Sequence, residues 1–216
     1  MLKLYLNTSN SVFDVSSEEY KEDNVVVFNQ FGLNKINYKN ELNGSENALS
    51  NFARISKNSS KVLIAGAYSN NYGVKRKSCV IADKGKLLGI QDMCVSYDSN
   101  NFSVGGSHKI FQTSQGKVGI IVDEDIFSFE SIKAMSICDV DVIIAIIFGE
   151  EKPQFNYLIR AYSYLFGIPI VVLSNSSILS SDINGELQGS QKVKDVHTVV
   201  YTKKSYRLIT TKKRGN

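Results

Sequence analysis

The chain has 216 residues, of which 43% are hydrophobic and 21% are charged, and it carries a formal net charge of +4 with only two prolines. This composition predicts one globular domain over residues 1–216 and excludes collagen-like, low-complexity and intrinsically disordered chains. No apolar run approaches the roughly 18 residues that cross a bilayer, so we expect no membrane association, and the first residues lack the pattern of a secretory signal.

Apolar runs of roughly four to eight residues, rich in valine and isoleucine, recur along the chain and predict buried strands. In chain order the predicted strands are Leu2–Leu6, Val25–Phe28, Val62–Ala67, Cys79–Ala82, Lys117–Val122, Val140–Ile147 and Ile168–Leu173. Helical spacing and end signals predict helices over Glu46–Lys57, Phe129–Cys138 and from Pro153 to a stop at Gly167. The pair Asn184-Gly185 predicts a hairpin. Strands that alternate with helices and end in a hairpin indicate an α/β fold.

The positive charge is concentrated at the C-terminal end. No acidic residue follows Asp195, but six basic residues do, which are Lys203, Lys204, Arg207, Lys212, Lys213 and Arg214. Without these six, the rest of the chain has 19 basic and 21 acidic residues and therefore a net charge of about −2. We interpret the segment from about residue 203 as a basic tail and expect no nucleic-acid partner, because phosphate binding uses a wider basic field. The same reasoning predicts that residues 75–77 (Lys-Arg-Lys) form an exposed turn between two strands.

Several short motifs follow one another in a specific order. The later ones are GGSHKIFQTSQGKVGIIVDEDIFSFE, SICDVDVIIAI, IRAYSYLFGIPIVVLSN and SSILSSDINGEL, and the earlier ones are VVVFNQF, VLIAGAY and SCVIADKGKLLG. In this order the chain resembles the carbon–nitrogen hydrolase (nitrilase) superfamily over most of residues 1 to about 190. The resemblance implies a nitrilase-like four-layer α-β-β-α sandwich, a homodimer packed through its outer helices, and trimmed loops, with the first helix reduced to Ser16–Lys21.

Members of that superfamily act on amides and nitriles with a Glu-Lys-Cys triad. The thiolate attacks the carbon, the carboxylate serves as general base, and the ammonium stabilises the tetrahedral intermediate. Carried over position by position, the resemblance puts Gln30 at the base, Met93 at the lysine and Asp123 at the cysteine. An amide does not accept a proton at neutral pH, and we discount a route in which Asp123 attacks the amide as the nucleophile.

The resemblance therefore implies a protein without Cys-dependent C–N hydrolysis that acts as a binding or regulatory module. We expect no cofactor, and we expect a small amide or carboxylate as the ligand of the former active-site cleft. The alternative is an amidase-like hydrolase of non-peptide C–N bonds with altered catalytic residues around Asp123. Cys94 and Asp98 are the further candidates in that case, although a solvated loop is the favoured interpretation for Asp98.

The cysteines of the chain predict its cellular compartment. Three widely spaced cysteines, odd in number and outside any CxxC pair, are typical of a reducing cytoplasm and of a chain without a disulfide framework. Cys79 falls in a predicted strand and Cys138 at a predicted helix end, so we expect both to be core residues.

Asp123, Glu124 and Asp125 form an acidic cluster, and hard cations take clustered carboxylates. Neighbours on a strand alternate faces, so only Asp123 and Asp125 could converge. Asp125 matches a family aspartate that hydrogen-bonds the turn, and we favour that structural role and predict no metal site. His108 and His197 are interpreted as too isolated for a catalytic or metal cluster.

Overall fold

The computed structural model describes residues 2–8, 10–97, 101–175, 177–188 and 196–201. The strands are β1 (Leu2–Asn7), β2 (Val25–Phe28), β3 (Asn34–Asn37), β4 (Val62–Asn71), β5 (Val74–Asp83), β6 (Lys86–Asp92), β7 (Ile110–Thr113), β8 (Gly116–Val122), β9 (Val142–Ile146), β10 (Ile170–Leu173), β11 (Ile178–Ser181) and β12 (Val196–Tyr201). The helices are α1 (Tyr38–Asn43), α2 (Ala48–Ser59), α3 (Phe129–Ile137) and α4 (Pro153–Phe166), and a 3-10 helix, Asp123–Phe127, follows β8.

The strands form two sheets. One has seven strands in the order β12-β1-β2-β4-β5-β6, with β3 paired to the end of β4, and the other has five in the order β11-β10-β9-β8-β7. Strands β1, β2 and β4 are parallel to one another, and so are β8, β9 and β10. Helix α2 packs on the outer face of the larger sheet, and α3 and α4 pack on the outer face of the smaller one. The predicted α-β-β-α layering is thereby confirmed.

The alternation of side chains along each strand builds two kinds of core. In β2, Val25 and Val27 face the space between the sheets, whereas Val26 and Phe28 belong to the layer that α2 covers. All four side chains are fully buried. A strand buried on both faces is apolar at every position, which is why the sequence reads as a continuous hydrophobic run.

The ends of the predicted helices match the structure closely. Helix α2 is shifted by two residues from the predicted Glu46–Lys57, and α4 begins at Pro153 and stops at Gly167, whose φ of 62° is left-handed. The predicted tight turn is present, with Gly185 N donating to the Asp182 carbonyl at 3.0 Å. No helix within the described ranges is both long and apolar enough to span a bilayer.

Two predictions of local structure are wrong. Residues 75–77 lie inside β5, because β4 and β5 pair in antiparallel register for ten residue pairs and turn only at Tyr72-Gly73. Ser16–Lys21 forms hydrogen-bonded turns instead of a helix. The Glu19 carboxylate accepts from Ser16 N at 3.1 Å and from the Tyr5 hydroxyl at 3.2 Å, which ties this segment to β1. The basic segment from residue 203 lies outside the described residues.

Candidate functional site

The ends of several parallel strands meet at one edge of the two sheets. Strand β2 is followed by Asn29 and Gln30, β8 by Asp123, and β10 by Ser174 and Asn175. The Asn29 side-chain amide donates to the Ser174 carbonyl at 3.1 Å, which joins the larger sheet to the smaller one. In layered α/β folds such an edge is where functional groups collect.

Asp123 occupies a sharp turn from strand to 3-10 helix. Its φ is +51°, a left-handed conformation that is uncommon for a residue with a Cβ. Such conformations cluster at active sites, and a nucleophile is often exposed on a strand-to-helix turn of this kind. Here the side chain is nearly buried, and its Oδ1 accepts from Phe148 N at 3.2 Å.

The other carboxylate oxygen of Asp123 forms an ion pair with the ammonium of Lys77, and each side chain is only 12% exposed. Sequence reasoning missed Lys77, because its segment was predicted to be an exposed turn. The structure shows how Lys77 reaches Asp123. Met93 N donates to the Lys77 carbonyl at 2.9 Å, so Lys77 lies directly opposite Met93, the position where the resemblance predicts a lysine. Directly paired residues share one face of a sheet. The positive charge next to Asp123 therefore comes from Lys77 of β5.

Met93 itself does not line an open site. Its side chain is 2% exposed and belongs to the core between the two sheets, packed with residues of both. An uncharged side chain here fills volume beside the Lys77–Asp123 pair and leaves the charge to Lys77.

Gln30 is held at both ends of its side-chain amide. Its Nε2 donates to the Asn175 Oδ1, and its Oε1 accepts from the Tyr68 hydroxyl at 3.2 Å. Burial raises the pKa of Tyr68 above its ordinary value, partly offset by Lys77, so the hydroxyl stays protonated and donates. Gly66 of β4 makes the approach possible, since a Cβ there would lie 2.7 Å from the Gln30 Cα.

Aromatic rings cover the ion pair. The Tyr68 ring centroid lies 5.5 Å from that of Phe102 and 5.0 Å from that of Phe148, and the Lys77 ammonium lies 5.4 Å from the Phe102 centroid. A cation over a ring face is stabilised by the ring quadrupole. Lys77 and Asp123 therefore compensate each other's charge beside these rings, while the Gln30 amide is bonded separately to Asn175 and Tyr68.

A cavity of about 650 Å³ is lined in part by the same two rings, Tyr68 and Phe102. Its lining includes two lysines, two amides and these two rings, namely Lys35, Lys75, Asn37, Asn70, Tyr68 and Phe102. None of the three positions predicted for the triad lines this cavity. The Phe102 ring thus borders both the cavity and the Lys77 ammonium.

The acidic cluster does not converge on one point. Asp123 pairs with Lys77, and Glu124 accepts from Tyr97 N at 2.7 Å. Asp125 turns away to accept from the backbone amides of Cys94 at 2.8 Å and of Val95 at 2.6 Å. Asp125 thus makes the kind of structural hydrogen bonds that were expected of it.

The expectation that His108 is isolated is wrong. Ligand atoms of Cys94, His108 and Asp125 all lie within 4.8 Å of one another. The fold brings them together because Asp125 fixes the chain after β6, and because Gln91 Oε1 accepts from Lys109 N at 2.7 Å and so positions the segment before β7. Neither contact follows from local spacing in the sequence. We call these three residues the Cys94 cluster.

Burial sets the protonation of the Cys94 cluster. Desolvation raises the pKa of Asp125 to about 7, against the lowering effect of its backbone hydrogen bonds. Desolvation and the Asp125 charge raise the pKa of the Cys94 thiol to about 11. Burial lowers the pKa of His108 below its usual value. At neutral pH Cys94 is a thiol and His108 is neutral, so Cys94 is not an activated nucleophile.

The other predicted residues have mixed outcomes. All three cysteines are free, and Cys79 is buried as expected. Cys138 is exposed instead of buried, because it is the C-terminal cap of α3, where the chain leaves the helix for solvent. Asp98 and the side chain of His197 lie outside the described residues.

Two face-to-face sheets with helices on both outer faces form a four-layer α-β-β-α sandwich of the nitrilase type. Solved structures share it: an amidase of the nitrilase superfamily from Nesterenkonia sp. AN1 aligns with a TM-score of 0.76 at 11% identity, over 93% of this chain and 92% of that one. A carbon–nitrogen hydrolase from Helicobacter pylori G27 aligns at 0.69 with 15% identity, over 91% and 88%.

A glutamine-dependent NAD+ synthetase from Acinetobacter baumannii aligns at 0.70 with 17% identity, over 91% of this chain and 45% of that one. No protein-family model and no curated protein matches the sequence. At these identities the likeness establishes the fold, and the predicted nitrilase-like architecture is confirmed.

Proposed function

We propose that this nitrilase-fold protein does not hydrolyse C–N bonds through a cysteine and acts as a binding or regulatory module. The observation that carries the proposal is the Lys77–Asp123 ion pair on the turn after β8. In mutants of the Nesterenkonia amidase in which a glutamate is replaced by glutamine or leucine, the active-site cysteine forms covalent adducts with acrylamide or with the acetamide moiety of fluoroacetamide. Here the turn carries a carboxylate that is neutralised by its partner and screened by aromatic rings.

The remaining groups do not rebuild the missing chemistry. Gln30 has no basic atom and both ends of its amide are engaged. Cys94 has a thiol pKa of about 11, which leaves almost no thiolate at neutral pH. A general base must accept a proton, and the Gln30 amide cannot do so at neutral pH.

The cavity lined by Tyr68 and Phe102 supports the binding role. Its volume of about 650 Å³ suits a small molecule. Lys35 and Lys75 offer cations beside the Glu46 carboxylate, and Asn37 and Asn70 offer amides that recognise a carboxylate or an amide group. We propose a small carboxylate or amide as the ligand, displaced outward from the family's buried site.

The proposal retains residues 1–216 as one domain of a homodimer in the reducing cytoplasm, without nucleic-acid or membrane partners. The outer face of α4 supports the dimer, because Tyr157, Tyr164 and Leu165 are each about two-thirds to three-quarters exposed there. Exposed apolar surface of this kind is typical of interfaces.

A second candidate function is amidase-like chemistry with altered residues around Asp123. The left-handed conformation of Asp123 favours it, since such strain is often kept where a reactive group must be presented. Lys77 would then supply the charge for a developing oxyanion.

Ammonia release from short aliphatic amides, including acetamide and butyramide, separates the two candidates. We expect the wild-type chain to release no more ammonia than buffer alone. Release that disappears in Asp123→Asn or Gln30→Ala would overturn the first proposal and support the second.

Calorimetric titration with small monocarboxylates and amides tests the binding role. We expect saturable binding that weakens at least tenfold in Lys75→Ala and is unchanged in Lys133→Ala, an exposed lysine on α3 outside the cavity. Equal affinities in the two variants would contradict the proposed binding cavity.

A further inference from the structure

The Cys94 cluster contains two buried polar atoms that face each other without a hydrogen bond. Asp125 is fully buried, and neither its Oδ2 nor the His108 Nδ1 has a hydrogen-bond partner among the described residues. The two atoms are 3.8 Å apart, too far for a hydrogen bond. Leaving buried polar atoms unsatisfied is costly, so such a pair calls for a specific explanation.

We propose that Cys94, His108 and Asp125 bind a zinc ion. The proposal goes beyond the binding function proposed above and does not depend on it. It replaces the expectation from sequence that the chain has no metal site.

The spacing of the three ligand atoms fits a metal between them. The Cys94 Sγ, a His108 ring nitrogen and an Asp125 carboxylate oxygen all lie within 4.8 Å of one another. Zinc bonds of about 2.0–2.3 Å in tetrahedral geometry separate ligand atoms by about 3–4 Å. Closure by less than about 1 Å at each ligand therefore completes the site.

The second polar atom of His108 and of Asp125 is hydrogen-bonded in the way that is usual for metal-binding residues. The His108 Nε2 is hydrogen-bonded to the Ser131 hydroxyl at 2.7 Å, which with Nε2 protonated leaves the Nδ1 lone pair for the metal. The Asp125 Oδ1 accepts from the amides of Cys94 and Val95. Such outer partners orient a ligating imidazole and carboxylate.

The donor set selects the ion. One sulfur, one imidazole nitrogen and one carboxylate oxygen are the ligand types of Zn²⁺, whereas Mg²⁺ and Ca²⁺ prefer oxygen alone. The Gln91 Nε2 donates to the Cys94 Sγ at 3.3 Å, which stabilises the thiolate that a bound ion requires. Three protein ligands leave a fourth position for water.

A zinc ion at this site would cross-link segments of the chain close to the turn that carries Asp123. Cys94 follows β6, His108 precedes β7, and Asp125 belongs to the 3-10 helix after β8. One ion would join three segments from both sheets, and Asp125 is two residues from the Lys77–Asp123 pair.

Metal titration of the full-length, untagged chain, stripped with a chelator and dialysed, tests the proposal. With Co²⁺ as the spectroscopic probe we expect one equivalent to bind, to give a thiolate-to-cobalt charge-transfer absorption, and to be displaced by Zn²⁺. Cys94→Ser should abolish that absorption, and His108→Gln should weaken metal binding at least 100-fold. Ser131→Ala should weaken it about 10–100-fold, as loss of an outer partner does.

Cys138→Ser is the matched control, because Cys138 is exposed and outside the cluster. It should bind Co²⁺ as the wild type does. Absence of saturable Co²⁺ binding by the folded wild type would overturn the proposal, and so would a charge-transfer absorption that survives Cys94→Ser. Circular dichroism of each stripped variant reports whether it is folded, and the Cys94→Ser and Cys138→Ser pair decides the outcome because serine replaces cysteine with little change in shape. The result is independent of any amide hydrolysis assay.

Discussion

Two polar clusters lie on either side of one short helix and have opposite electrostatic character. On the first side, the Asp123 carboxylate meets the Lys77 ammonium and the Phe148 amide, so its charge is compensated. On the second side, two residues later, Asp125 is fully buried beside a neutral His108, and its Oδ2 has no hydrogen-bond partner in the part of the chain that the structure describes. A compensated pair stabilises a closed site, whereas an uncompensated group is ready to take a proton or a ligand.

The two clusters also differ in backbone strain. The turn at Asp123 has the strained backbone of an active site but a neutralised side chain. The Cys94 cluster has ordinary backbone geometry but unmatched ligand atoms. The chain therefore keeps the backbone geometry of a catalytic turn at Asp123. The buried polar atoms that lack hydrogen-bond partners among the described residues belong instead to the Cys94 cluster.

The largest expected effect comes from breaking the compensated pair. Lys77→Met removes the cation and leaves the Asp123 carboxylate buried, which should lower the free energy of unfolding by about 3 kcal/mol. Urea denaturation at pH 7 measures it. The double variant Lys77→Met/Asp123→Asn should recover most of the loss, because no uncompensated charge remains. Equal stability of Lys77→Met and wild type would show that the pair is not compensating a buried charge.

A smaller effect is expected from titrating the uncompensated group in chelator-treated protein. Burial raises the pKa of Asp125 from 3.8 to about 7 in the folded state. A raised folded-state pKa stabilises the fold at low pH, and that contribution is lost as the pH rises towards 7 and above. From pH 5 to pH 8 the wild type should lose about 2 kcal/mol relative to Asp125→Asn.

Urea denaturation of both proteins at the two pH values gives this difference. The lowered pKa of His108 acts in the opposite direction, since it costs stability at low pH, and it is present in both proteins. A pH dependence that is the same in wild type and Asp125→Asn would contradict the assignment of the titration to Asp125.

The smallest expected effect is a difference in alkylation rate between two cysteines of the unmutated protein. Cys94 has a thiol pKa of about 11 and is partly buried, whereas Cys138 is exposed. In the metal-free protein at pH 7, iodoacetamide should alkylate Cys94 at least tenfold more slowly than Cys138, because the thiolate is the reactive form. Peptide mass spectrometry follows both sites. Faster alkylation of Cys94 would identify an activated thiolate and favour the hydrolase alternative.

The fold was predictable because local patterns and motif order agree. The apolar runs of β2 and β8 and the end signals Pro153 and Gly167 of α4 correspond to real elements. The polar residues of β5 were not predictable in this way. Their strand exists because β4 offers ten consecutive backbone partners, and side-chain patterning does not report that pairing.

The candidate site was predictable only in part for the same reason. Gln30 and Asp123 stand directly after strands that the sequence marks clearly, so their shared edge follows from topology. Lys77 is 46 residues from Asp123 along the chain, and His108 is 17 residues from Asp125. Such contacts depend on the registers of strands in two sheets.

The sequence by itself determined the α/β architecture and its resemblance to the nitrilase fold, together with the placement of a carboxylate where that resemblance expects a cysteine. Strand periodicity and motif order are local properties, and they survive without knowledge of packing. Only the tertiary structure decided that Lys77 neutralises Asp123 and that Cys94, His108 and Asp125 face one another. Those pairings come from the packing of two sheets, which brings together side chains that no local spacing connects.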